Sequence, residues 1–196
     1  MNIKRNKICG VGINDYSESI SVKGNHIKSY IQWKSMLSRC YDPKMHKIEP
    51  SYIKCEVCEE WKLFSNFKKW FDENYVEGYQ LDKDILFKGN KIYSQNTCCF
   101  VPQEVNKLFT NRKNDRGKLP IGVCYSKKYN KFKSQINIDG ERKHLGYFIT
   151  AKDAYLSYKK AKENIIKQMA VKYFKLGLIS LNVYNSMIKY HICIND

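Results

Sequence analysis

Cys55 and Cys58 stand two residues apart, the spacing at which two thiolates bind one tetrahedral metal ion. The chain holds eight cysteines, and without export these are reduced thiols or metal ligands, not disulfides. Cys98 or Cys99 would complete a four-thiolate Zn²⁺ site with the pair, and Cys40 is a further contender. Buried free thiols are the alternative. A second group is Asp82-Lys83-Asp84, one cation between two carboxylates. Lysine is a base near neutrality only where its charged form is penalised, and flanking carboxylates do the opposite. A third group lies within 127–144, where Lys127, Lys128, Lys131, Lys133, Gln135, Asn137, Arg142 and His144 follow one another. Cations neutralise phosphates, and amides and guanidinium groups hydrogen-bond base edges, so this stretch predicts contact with nucleic acid.

A sheet positions the third group. From 132 to 138 the even positions are Phe, Ser, Ile and Ile, and the odd positions from 131 to 137 are Lys, Lys, Gln and Asn. This alternation gives a strand one buried and one wet face. Asp139-Gly140 is a two-residue hairpin signal, because glycine accepts the positive φ of a type I′ turn. Three short antiparallel strands are expected at 122–126, 131–138 and 142–148. Thr150 then caps a long helix with Asp153 as its partner. Ala154, Tyr155, Tyr158, Ala161, Ile165 and Met169 form its inner face.

In the first half, Ile27, Tyr30, Ile31, Met36, Leu37 and Cys40 predict a helix over 27–39, stopped by Asp42-Pro43. A loop over 43–50 holds His46. Trp61, Phe64, Phe67, Trp70 and Phe71 recur at helical spacing within 59–74 and read as core. Two strands joined by a long loop are expected over 78–102. A short helix starting near Pro102 carries Asn106, since proline suits a first helical turn. A last helix covers 181–191. The polar segment 111–118 lacks apolar periodicity and reads as a linker, dividing the chain into domains 1–114 and 115–196. The class is α+β: N-terminal helices and a strand–loop–strand–helix unit, then a three-stranded antiparallel sheet packed on a long helix.

The net charge is +16. Residues 111–196 hold 18 Lys and Arg against 6 Asp and Glu, and residues 1–110 hold 17 against 13. The charge therefore concentrates on the sheet half, which favours a polyanionic partner. Part of the Lys, Asn, Ile and Tyr abundance is what an AT-rich genome encodes. No long apolar run accompanies the charge, so a membrane partner is not expected. The first seven residues are basic and lack an apolar signal region, which predicts a cytoplasmic protein. No sequence pattern specifies an oligomer.

Several of these motifs resemble known families. Gly122-Val123, Lys131-Phe132, His144-Leu145-Gly146-Tyr147-Phe148, Thr150-Ala151 and the spacing from Ala154 to Tyr158 resemble the APETALA/ethylene-response-factor family of DNA-binding domains. The resemblance implies that the sheet, not the helix, enters the major groove of double-stranded DNA, with Gln135, Asn137, Arg142 and His144 on the reading face. Cys124 and Ser126 stand where that family carries two arginines, so the base sequence read by its plant members does not carry over.

The order strand, long loop, strand, helix resembles the ββα-metal motif of HNH endonucleases of phages and mobile introns. The matching residues are Leu81-Asp82-Lys83-Asp84, Gly89-Asn90-Lys91, Tyr93-Ser94, Asn96, Cys98 and Asn106. The resemblance implies a DNA endonuclease or nickase in which Asp82 and Asn106 hold one Mg²⁺ or Mn²⁺, acting in the cytoplasm of a bacterial host if a phage encodes it. Lys83 falls where the family has its general-base histidine, and the four histidines are His26, His46, His144 and His191. Lys83 then has a phosphate-binding or transition-state role, and water activation passes to the metal or to Asp84. The competing readings are a non-catalytic DNA-binding regulator and a decayed nuclease in which Asp82, Lys83 and Asp84 form a surface ion cluster.

Overall fold

A computed structural model of the chain describes residues 7–110, 118–138 and 140–194. Most of the expected linker and Asp139 of the expected turn lie outside the described residues. The elements, in order, are β1 (Ser21–Val22), β2 (Asn25–His26), α1 (Lys28–Tyr41), α2 (Pro43–Ile48), β3 (Glu56–Val57), α3 (Phe64–Asn74), β4 (Gln80–Asp82), β5 (Ile92–Tyr93), β6 (Cys99–Val101), α4 (Gln103–Phe109), β7 (Val123–Ser126), β8 (Lys131–Ile138), β9 (Glu141–Phe148), α5 (Ala151–Lys175) and α6 (Leu181–Ile188). Helices and small sheets are thus mixed. The chain divides into two compact units, Met1–Gln103 and Glu104–Asp196.

The first unit is built on aromatic packing. Trp33, Met36 and Leu37 of α1 and Phe64 and Phe67 of α3 are fully buried, and Trp61 nearly so. The Trp33 indole N–H donates to the Trp61 carbonyl at 2.6 Å, which satisfies its one polar group inside the core. Trp33, and not Ile31, completes the buried stripe of α1; Ile31 is exposed. The expected second helix is broken at Leu63, whose extended backbone separates a 3₁₀ turn (Glu60–Lys62) from α3. Leu63 is held there by a bridge to Ile13.

The segment 43–50 is helical where a loop is expected. Asp42 explains the difference. Its carboxylate accepts the Lys44 N–H at 2.9 Å, and Pro43 occupies the first turn, where its missing N–H costs nothing. The dipeptide that stops α1 therefore starts α2. His46 Nε2 lies 3.0 and 3.1 Å from the carbonyls of Arg39 and Cys40, so it donates to the otherwise unpaired end of α1.

Three two-stranded pairings complete this unit. β1 and β2 form a hairpin, β3 pairs in parallel with β5, and β4 pairs antiparallel with β6, setting Asp82 opposite Cys99. The parallel pair joins segments far apart in sequence and has no local signal.

In the second unit, β7, β8 and β9 form an antiparallel sheet in that order, within a residue of the expected bounds. α5 packs on it. Thr150 Oγ1 accepts the Asp153 N–H at 3.1 Å and donates to the Asp153 carboxylate at 2.6 Å, a reciprocal cap. Ala154, Tyr155 and Tyr158 are buried as expected, but the stripe then continues through Ile166 and Ala170 and not through Ile165 and Met169. Steps of four along one straight helix face lead from Tyr158 to Lys162 and on to Ile166 and Ala170; burial lowers the pKa of Lys162. Gly122 lies against this helix at φ 75°, where a Cβ would come within 2.0 Å of the Tyr158 ring. α6 ends at Ile188, short of the expected 191. The chain beyond it is tied to α5: Ile192 N–H donates to Glu163 at 2.9 Å, and its carbonyl accepts from Tyr155 Oη at 2.9 Å and Lys159 Nζ at 2.6 Å.

Candidate functional site

The outer face of the sheet collects most of the residues expected to bind nucleic acid. Side chains alternate along a strand and cross-strand partners share a face. Lys131, Lys133, Gln135 and Asn137 therefore lie on one side of β8, opposite the face carrying Phe132, Ser134 and Ile136. Pairing places Tyr147 across from Lys133, His144 across from Gln135 and Arg142 across from Asn137. Cys124 and Ser126 of β7 pair with Lys133 and Lys131 and complete the same face. Arg142, His144, Asn137 and Lys131 are exposed, and Gln135 and Lys133 half-buried. Among the described residues none of Lys131, Lys133, Gln135, Asn137 and Arg142 spends its side chain on a hydrogen bond or ion pair within the protein. Lys127 and Lys128 sit on the turn between β7 and β8, both exposed.

The Asp82-Lys83-Asp84 group has the opposite character. Asp82 Oδ1 accepts the N–H groups of Asp84 at 2.6 Å and Ile85 at 2.7 Å, folding the chain into a turn as β4 ends. Burial pushes the Asp82 pKa up, against the pull of those amides. Lys83 is 5 % exposed, so it is no surface charge. Its ammonium donates to Asp84 Oδ2 at 2.6 Å and to the Asn90 carbonyl at 3.0 Å, and it lies 5.9 Å from the ring centres of both Tyr52 and Tyr93. Burial alone would lower the Lys83 pKa; the ion pair with Asp84 outweighs it and the net direction is upward. The amide of Asn90 donates to the carbonyls of Lys83 at 2.9 Å and Ile92 at 2.7 Å, closing the loop on itself. Arg39 approaches from α1, 5.6 Å from the Tyr52 ring. Arg39 and Tyr52 carry no sequence signal for this site, because they reach it from elements far upstream.

The carboxylates fit a hard divalent cation in donor type. Asp82 keeps one oxygen beyond the two amides, and Asp84 Oδ1 is buried without a hydrogen-bond partner among the described residues. Asn106, the other residue implied to hold the ion, lies half-buried on α4 in the second unit, and its carbonyl accepts from Thr110 Oγ1 at 3.3 Å.

Cys40, Cys55 and Cys98 belong to one buried cluster, with Cys58 packed against it. Among the described residues no three His, Cys, Asp or Glu side chains gather closely enough to share an ion. Cys55 Sγ faces the Ser51 carbonyl and Cys58 Sγ faces Gln95, each at 3.9 Å. Cys40, Cys55 and Cys98 are buried; burial pushes the thiols of Cys40 and Cys98 up to about 12. Among the described residues no helix is long and apolar enough to cross a membrane. The chain matches no protein-family model, no curated protein and no solved structure.

Proposed function

We propose that the protein is a DNA-directed, metal-dependent endonuclease or nickase of the phage or mobile-element type. The observation that carries this reading is the outer sheet face, where Lys131, Lys133, Gln135, Asn137 and Arg142 stand together with His144, the first five uncommitted to hydrogen bonds among the described residues. Polar groups left this way await an external partner, and amides among cations suit a duplex whose backbone is anionic and whose groove presents donors and acceptors. Lys127 and Lys128 on the adjoining turn serve as phosphate contacts.

In this reading Asp82 is the fixed carboxylate for Mg²⁺ or Mn²⁺, and the resemblance adds Asn106. When bound, such an ion neutralises charge on the phosphate and acidifies water. Asp84, whose buried Oδ1 has no hydrogen-bond partner among the described residues, is the carboxylate to which water activation would fall. Lys83 holds Asp84 in place as a positioning residue, because its ammonium is already committed and its raised pKa keeps it charged.

The test is conversion of supercoiled plasmid in Mg²⁺ or Mn²⁺ against a chelator control. Metal-dependent nicking or linearisation that Asp82→Ala abolishes supports the proposal. A parent chain that binds duplex but fails to cut it in either Mg²⁺ or Mn²⁺ overturns it in favour of the second reading, a non-catalytic DNA-binding regulator with a degenerate nuclease fold. The burial of Lys83 in an internal ion pair favours that alternative.

A further inference from the structure

The outer sheet face also carries an aromatic strip. On an unbroken β9, His144 and Tyr147 would point to opposite faces, because their separation is odd. The register shift between Ser134 and Gln135 changes this: Ser134 pairs with Gly146 and Gln135 with His144, leaving Leu145 as the extra residue of a β-bulge. Gly146 takes φ 132° there, a value few other residues adopt, and a Cβ on it would press within 3.2 Å of the Phe148 ring. The bulge turns Tyr147 outward onto the face of His144, with ring centres 4.6 Å apart. Tyr129, from the turn before β8, also meets Tyr147, again at 4.6 Å. Tyr129 and Tyr147 are 48 % and 39 % exposed, and Lys128 Nζ sits 5.2 Å from the Tyr129 ring centre.

Single exposed tyrosines are common and need no explanation. Three rings linked through Tyr147, which a bulge turns outward, and bordered by Lys128, Lys131 and Lys133, are a different case. Rings on a cationic surface suit a ligand with both negative charge and accessible flat faces. A duplex offers the charge but keeps its base faces covered by neighbouring bases. An unpaired strand offers both.

We infer that the strip Tyr129–Tyr147–His144 is a stacking platform for unpaired bases, so that this face holds single-stranded DNA as well as duplex. The inference rests on reading the face as a nucleic-acid interface. It deepens that reading by naming a melted or displaced strand as a ligand.

The experiment is fluorescence anisotropy of the full chain with a labelled oligothymidylate of about 12 nucleotides, within the span one small sheet domain covers. A duplex of the same length is measured in parallel at two salt concentrations. Tyr147→Leu and Tyr129→Leu should each weaken oligothymidylate binding by about tenfold, the loss expected for one base–aromatic stack. The loss on duplex should be much smaller. Tyr147→Phe keeps the ring and should stay close to the parent, and melting curves establish that each variant is folded. An oligonucleotide with abasic positions should bind the parent as weakly as oligothymidylate binds Tyr147→Leu. Equal losses on single strand and duplex, or a Tyr147→Leu chain that binds oligothymidylate as the parent does, overturns the platform. Salt-sensitive duplex binding without oligothymidylate binding also overturns the platform but leaves the proposed function standing. Failure to bind either form defeats both.

Discussion

The two polar clusters are built on opposite principles. Around Lys83, ammonium, carboxylate, amide and carbonyl groups satisfy one another below the surface: Lys83 is committed to Asp84 and Asn90, Asp82 to two backbone amides, and Asn90 to two carbonyls. On the sheet, Lys131, Gln135, Asn137 and Arg142 make no such internal bonds among the described residues. The first arrangement stabilises a loop and leaves one oxygen on each of two carboxylates, Asp82 Oδ2 and Asp84 Oδ1, without a hydrogen bond among the described residues. The second leaves nearly every group for a partner. Substitutions in the first cluster should therefore change folding and turnover together, and substitutions on the outer face of the sheet should change binding alone.

The largest effect is expected at Asp82. Asp82→Ala removes the proposed metal donor, and plasmid cleavage should fall by about 100-fold or more, the scale at which loss of a key transition-state group is felt. Duplex affinity measured by anisotropy should hold or rise, since a negative charge is lost. Undiminished cleavage would move the active site elsewhere. Gly122→Ala attacks the other side of the comparison. Its Cβ would overlap the Tyr158 ring at a φ that disfavours alanine, so about 2–4 kcal/mol of stability should disappear from the sheet unit in a denaturant titration. DNA affinity should fall with it.

Lys83→Met tests whether the internal ion pair is structural. Asp84 keeps partial solvent access, with its side chain 43 % exposed, so the cost should be about 1–2 kcal/mol, below that of a fully buried pair. The pH dependence has a defined sign. A lysine whose folded pKa is raised contributes stability that is fully present below its ordinary value of 10.5 and lost as pH rises through the higher folded value. Parent melting temperatures should fall in that alkaline window, and Lys83→Met should lack this part of the slope. A parallel slope in both chains would show that the pair contributes nothing.

Arg142→Ala should cost about 1–3 kcal/mol of duplex affinity and relax preference among sequences if the guanidinium reads a base edge. A loss uniform across sequences would make it a phosphate contact like Lys127. The smallest effect belongs to Ser134, fully buried with no partner for its hydroxyl among the described residues. Ser134→Ala should be neutral or stabilising by about 0.5 kcal/mol, because an unpaired polar group is removed with little volume. A clear destabilisation would show that the hydroxyl is bonded to water beside the bulge.

Sequence alone determined the features that rest on local rules. Strand alternation over 131–138 and the Thr150–Asp153 cap each depend on neighbours within a few residues and stand where the sequence places them. The aromatic spacing holds from Phe64 onward, the turn before it being split off at Leu63. The Asp42-Pro43 step was legible as a helix stop but not as a helix start, because one carboxylate cap serves the next helix only if the chain turns back there. Tertiary structure decided what depends on distant contacts. Lys83 follows from sequence as a charged residue, but its burial depends on Tyr52 and Tyr93 closing over it. The outward turn of Tyr147 depends on a register shift between two strands, and a one-residue shift exchanges the faces of every side chain beyond it. Gly146 marks β9 locally as a strand able to bulge, but the pairing with β8 decides that Leu145 is the residue skipped.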